Sequence, residues 1–158
     1  MPAREPVVVE IDEQRRAPLV ERMLAMTEAA GGWINLSPGL DVDVPPPSRT
    51  ALASLLGSRG PVVPLATWSP ARRRDPATVG IHHGEGPKGL ARLADRGVAL
   101  PEGWRRLQDH PKHGLVLVPP PATTAEQLDA VLDWLLRATG ALCPVRRTGE
   151  WRAYCYEA

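Results

Sequence analysis

LVLVPPPATTAEQLDAVLDWLLRATG, residues 115–140, decides the fold that the sequence predicts. Residues 115–118 form a continuous apolar run, which is typical of a central strand, and the prolines at 119–121 end it. Thr123 and Glu126 then predict a capping box at the start of a helix that Gly140 ends. The apolar residues at helical spacing, which we expect to be buried, are Leu128, Val131, Leu132, Leu135 and Leu136.

Working outward from this stretch, alternating strand and helix signals predict a ferredoxin-like unit over about residues 78–147. Its further elements are a strand Thr78–His83, a helix from Pro87 to Gly97, a strand Trp104–Asp109, a turn His110–Gly114 and a strand Leu142–Arg147. The resulting order βαββαβ is that of ferredoxin-like α+β domains. A terminal hairpin, turning at Thr148–Gly149 into Trp151–Tyr156, is expected to add one strand.

The N-terminal half is expected to pack on this core within one domain of 158 residues, after a loose tail at 1–6. It has strand signals at Val7–Ile11 and Trp33–Leu36, a helix from Pro18 to Gly31, an acidic proline-rich connector at 40–47, a short helix beginning at Ser48, a strand Val62–Trp68 and an arginine-rich loop at 69–76. Pro64 predicts that the Val62–Trp68 strand lies at an edge, because proline donates no ladder hydrogen bond.

Composition excludes some classes of function. The chain has 19 basic and 18 acidic residues, a balance that argues against a nucleic-acid or anionic-membrane binder. We expect a cytoplasmic protein, because no apolar run approaches the roughly 20 residues of a membrane span and no secretory signal is evident. The scarcity of lysine and asparagine indicates a GC-rich bacterial genome. In the predicted hairpin Cys143 and Cys155 point to opposite faces, which disfavours a disulfide.

Polar chemistry is concentrated between His82 and His113, a segment that contains all four histidines and both lysines. In a ferredoxin-like sheet the strands before His83 and before His110 run in the same direction. The ends of both strands therefore lie on the same side of the sheet, and we use "edge" here for that row of strand ends. The sequence thus predicts a histidine-rich rim at that edge, to which Glu85 and Asp109 also belong.

Two ligand classes fit this rim. The first is a divalent metal, because imidazole and carboxylate are common ligands; the candidates are His82, His83, His110, His113 and Asp109. Consecutive histidines on a strand face opposite ways, however, and Lys112 would repel a cation. The second is a small anion, because residues 84–89 match G-x-G-x-x-G between a strand and a helix. Its candidates are Gly84, Gly86, Lys88, Gly89 and Lys112. Pro87, which lacks an N–H, and the charge of Glu85 count against a dinucleotide site.

A third interpretation is structural: the glycines and prolines form ordinary turns, and the histidines are surface residues. We therefore expect a binding module without enzymatic activity that recognises a partner protein or a small anionic ligand at the rim. The alternative is a small metal-dependent hydrolase of the phosphoester type at the same rim. No cofactor other than a divalent metal is a candidate. Trp151, Tyr154 and Tyr156 on the terminal hairpin predict an interface, so the chain is either a monomer or a homodimer through that hairpin.

Overall fold

The computed structural model describes residues 4–41 and 60–158. Within these ranges the chain forms seven strands and three helices. In chain order they are β1 (Val7–Asp12), α1 (Ala17–Ala29), β2 (Trp33–Leu40), β3 (Leu65–Ser69), β4 (Thr78–His82), α2 (Gly89–Asp95), β5 (Arg105–His110), β6 (Gly114–Val118), α3 (Ala125–Ala141) and β7 (Arg147–Tyr156).

All seven strands belong to one sheet with the order β1-β7-β2-β3-β4-β6-β5. Each neighbouring pair is antiparallel. The strand order shows that the prediction of a ferredoxin-like βαββαβ core was wrong. Strands β4, β6 and β5 are neighbours, but β3 occupies the place beside β4 that a ferredoxin-like fold gives to its last strand. The last strand, β7, instead lies between β1 and β2 at the far side of the sheet.

The predicted terminal hairpin was also wrong, and Gly149 explains the error. Residues 147–156 form one continuous strand rather than two strands joined by a turn. Gly149 does have the positive φ of a turn residue, at 92°. It lies, however, where the pairing of β7 with β2 shifts between Pro38 and Leu40, so that one residue of β2 faces three of β7. A bulge and a hairpin turn both favour glycine, and the local sequence does not distinguish them.

Because β7 lies between β1 and β2, it does not have the free edge that a dimer through the C-terminal strand would need. β7 pairs with β1 along residues 150–155 and with β2 along its other side. Strand β3 is likewise internal, between β2 and β4, although Pro64 predicted an edge. Pro64 precedes the first residue of this strand, Leu65, and so removes no ladder donor from it.

The core lies on one face of the sheet, beneath the helices. Alternate residues of the inner strands are buried, and together with the apolar stripes of α1 and α3 they form one cluster. Trp134 of α3 is 2% exposed, and its indole N–H donates to the carbonyl of Ala99 at 3.0 Å. The Arg16 guanidinium contacts the carboxylate of Asp129 at 2.8 and 2.9 Å and so joins the start of α1 to α3.

Most predicted elements are present, with shifted ends. The capping box of α3 uses Thr124 and Gln127, one residue beyond the predicted pair, and the helix continues through Gly140 to Ala141. The helix predicted from Ser48, and the connector at 40–47 beyond Asp41, lie outside the described residues. No helix in the described ranges has the length and apolarity to cross a membrane.

Candidate functional site

The structure brings the two pairs of histidines together at one end of the strands, where β4 ends and where β5 turns into β6. Strands β4 and β5 are both antiparallel to β6 and so run in the same direction. The His82 ring Nε2 lies 2.8 Å from the carbonyl oxygen of Lys112, in the turn between β5 and β6. We call residues 82–89 and 109–113 the histidine rim. The two pairs of histidines therefore meet as the sequence predicted, although the fold is different. Their meeting depends only on the order β4-β6-β5, which the predicted and the observed folds share.

The turn of the rim is organised around His110. Its Nδ1 accepts hydrogen bonds from the backbone N–H groups of Lys112 at 3.1 Å and His113 at 3.2 Å. The rings of His110 and His113 stack with centroids 4.6 Å apart and planes inclined by 27°. Both rings are exposed, as is His82. Because Nδ1 accepts, the ring proton of a neutral His110 is on Nε2.

His83 differs from the other three histidines, because it is fully buried. Its Nδ1 accepts from the backbone N–H of Glu85 at 3.2 Å, and its Nε2 has no hydrogen-bond partner among the described residues. Burial lowers the pKa of the His83 imidazole, while the nearby charge of Asp109 acts in the opposite direction. His83 directly follows β4 and continues the alternation of its inward-facing residues Val79 and Ile81, and this alternation is the signal that identifies the burial in the sequence.

Asp109 caps the helix that follows the glycine-rich turn. Its two carboxylate oxygens accept from the backbone N–H of Gly89 at 2.9 Å and of Leu90 at 3.1 Å. A side chain at Gly89 would lie 3.0 Å from Nε2 of His83 and 3.2 Å from a carboxylate oxygen of Asp109. A larger residue would therefore crowd the buried imidazole and its neighbouring carboxylate where α2 passes them, which favours glycine at this position.

The turn of residues 84–89 has two backbone conformations with positive φ, at Gly86 (91°) and Lys88 (60°). A left-handed lysine is uncommon, and such residues are often found at functional sites. The helix begins at Gly89 rather than at the predicted Pro87. Its first N–H groups, which an anion would have used, already bind the Asp109 carboxylate.

Both acidic groups of the rim therefore have internal partners. Glu85 contacts the Arg96 guanidinium at 3.2 Å, and Asp109 is held by α2. Lys88 and Lys112 are exposed, and neither forms an ion pair with a described residue. The charged groups that the rim presents to solvent without an internal partner are consequently these two lysines, beside three exposed imidazoles.

The metal candidates are close together but do not form a ready site. Nowhere in residues 4–41 and 60–158 do three histidine, cysteine, aspartate or glutamate side chains converge so as to hold a metal ion. His82 and His83 face opposite sides of the strand, as expected, with His82 exposed and His83 buried. Asp109, the predicted carboxylate ligand, is directed to the helix instead.

The other residues that the sequence singled out lie away from the rim. Trp151 is buried in the core, whereas Tyr156 stacks on the exposed Trp33 with ring centroids 4.8 Å apart. Cys143 and Cys155 are free thiols, and burial raises the pKa of the Cys155 thiol to about 11. The arginine-rich loop is exposed, and Arg72 donates to the carbonyl of Gly32 at 3.3 Å.

Comparison with known proteins gives no relative: no family model, no curated protein and no solved structure matches the chain.

Proposed function

We propose that this protein is a binding module that recognises an acidic segment of a partner protein at the histidine rim. The observation that carries the proposal is that each of the two rim carboxylates binds a group of the same chain: Asp109 binds the backbone N–H groups of α2, and Glu85 binds Arg96. The exposed charges of Lys88 and Lys112 then have the same sign. A patch of one sign attracts the opposite sign and determines how a partner approaches.

A protein segment fits this surface better than a small anion does. A small anion gains most from convergent N–H groups at a helix start, and those of Gly89 and Leu90 already donate to Asp109. The exposed donors lie instead on separate side chains along the edge: Lys88 on the glycine-rich turn, and Lys112 with the stacked rings of His110 and His113 on the next turn. An extended acidic peptide reaches several such groups at once.

Calorimetric titration with an oligoglutamate peptide tests this proposal, with inorganic phosphate and ATP as small anionic probes. The test variant is Lys88→Glu with Lys112→Glu, and the matched control is Arg73→Glu with Arg74→Glu, because both pairs are exposed and undergo the same change of charge. We expect wild type and control to bind the peptide and the rim variant to bind at least about tenfold more weakly, a difference of about 1.4 kcal/mol. Binding should weaken as salt is added.

Two results would contradict the proposal. Equal losses in the rim variant and the control would mean that the peptide responds to net charge alone. Phosphate or ATP binding as tightly as the peptide would favour a small ligand instead.

A further inference from the structure

The two edges of the sheet differ in how they are protected against pairing with another strand. β5, at one edge, contains Arg105 and Arg106, and its pairing with β6 shifts between Arg106 and Gln108, so that Leu107 forms a bulge. Charges and bulges of this kind protect edges in natural sheets. β1, at the other edge, pairs with β7 in an unbroken register from Val7 to Asp12. It contains neither lysine, arginine nor proline, and its two charged residues, Glu10 and Asp12, lie in its second half, after the three valines.

β1 also exposes apolar side chains. Val7 is 38% exposed and Val8 49%, and in the described part of the chain β1 pairs with no strand other than β7. Val8 lies opposite Tyr154 of β7, and the next residue of β7 on that face is Tyr156, which stacks on Trp33. An edge strand with exposed apolar side chains and backbone groups that are paired on one side only is a template for another strand.

We propose that β1 pairs with β1 of a second copy of this chain, in an antiparallel register about a two-fold axis at Val8. This register places Val8 opposite Val8, and Val7 opposite Val9, so that all three valines meet valines. Registers centred on Val7 or Val9 place a valine opposite Glu5 or Glu10 instead. Pairs of β-branched residues across two strands stabilise a sheet, and burying an exposed valine adds to this.

Charge and geometry agree with the same register. Continued beyond the start of β1 at Val7, it places Arg4 of one copy opposite Asp12 of the other, where the Asp12 carboxylate also contacts Arg15 of its own chain at 2.9 Å, and the two-fold axis repeats this pair of opposite charges at both ends. Residues with an even number, from Arg4 to Asp12, share one face of the strand. The sheets would therefore join with their helical faces on the same side. Because the contact is between identical strands, it closes at two copies and does not lead to a fibre.

Sedimentation velocity over a concentration series, combined with Val8→Lys and Leu107→Lys, tests this dimer. Both residues are exposed, at 49% and 50%, and they lie on opposite edges of the sheet, so the variants are matched in chemistry. We expect the wild type and Leu107→Lys to dimerise, and Val8→Lys to dimerise at least about tenfold more weakly. At concentrations low enough for the wild type to be monomeric, the melting temperatures of the wild type and Val8→Lys should agree, because only dimerisation adds stability to the wild type. Circular dichroism and thermal melts verify that each variant is folded.

The register is tested separately by cysteine cross-linking in a Cys143→Ser background. Directly opposite residues of antiparallel strands have Cα atoms about 4.5–5.5 Å apart, within the range of a disulfide. We therefore expect Val8→Cys to form an intermolecular disulfide, and Val7→Cys, which lies diagonally from its own copy at about 7–8 Å, not to form one. A wild type that stays monomeric at all concentrations would overturn the proposal. So would a dimer that Leu107→Lys dissociates, that Val8→Lys leaves intact, or that Val7→Cys cross-links in preference to Val8→Cys.

Discussion

Replacing His83 with asparagine tests the structure at the centre of the rim. The asparagine Oδ1 can accept from the N–H of Glu85, as the imidazole Nδ1 does, but the group that takes up a proton is gone. Burial lowers the pKa of folded His83 below its ordinary value of 6.5. Below about pH 6.5 the unfolded chain therefore binds one proton that the folded chain does not, so lowering the pH favours unfolding.

The magnitude follows from this one proton. The free energy of unfolding should fall by up to about 1.4 kcal/mol for each pH unit below about 6.5, until His83 is protonated in the folded state also. For a chain of this length that is roughly 3–6 °C in melting temperature per pH unit. The pKa values of Asp12 and Asp129 are lowered by their arginine partners, Arg15 and Arg16, so these carboxylates titrate below this window.

The assay is urea denaturation at pH values between about 8 and 5, with the wild type, His83→Asn and His113→Asn. The His113 variant removes an exposed imidazole and leaves His83 in place, so it should retain the loss of stability in acid. His83→Asn should lose most of it. A wild type whose stability is constant between about pH 6.5 and 5, or a His83→Asn protein that keeps the full slope, would refute the assignment of a buried neutral imidazole.

Two further variants test the rim by their stability in urea, each against a matched control. Asp109→Asn should cost about 1–2 kcal/mol, because both carboxylate oxygens accept N–H groups of α2, whereas an asparagine amide has only one oxygen to accept with and no charge. Asp95→Asn in the same helix should cost little, and equal losses would argue against the cap. Gly114→Ala should cost several kcal/mol more than Gly97→Ala. Both glycines have φ near +80°, but only at Gly114 would the new Cβ lie 2.2 Å from a carbonyl oxygen, that of Ile81. Equal costs would contradict the close approach of β4 and β6.

The sequence was sufficient for most local elements, though not for the terminal hairpin, and for the meeting of the histidines. Continuous apolar residues identified β6, and a cap, an apolar stripe and a glycine identified α3 to within a residue or two. The rim followed from the order strand, helix, strand, strand, because β4 and β5 must run in the same direction when both flank β6. This relation holds in both the predicted and the observed fold.

The place of the last strand could not be predicted in the same way. The choice between a neighbour of β4 and a position between β1 and β2 depends on contacts between residues more than 100 apart, such as Val9 with Ala153. Gly149 added to the error, since a positive φ serves a bulge as well as a turn. The capping role of Asp109 was likewise missed, because its partners Gly89 and Leu90 lie about 20 residues away. Of these features of the site, the burial of His83 is the one that the sequence could have predicted, because His83 continues the alternation of Val79 and Ile81.

Mapping of the oligoglutamate contact by amide chemical shifts in NMR tests the central claim, binding at the rim, most directly. The account predicts concentration-dependent shifts of the amides of the non-proline residues in 82–89 and 109–113, including those of Lys88 and Lys112, and none at Arg72–Arg74, where three consecutive arginines are exposed. Shifts that concentrate at the arginine-rich loop, that spread over all basic surfaces, or that are absent at saturating peptide would contradict it.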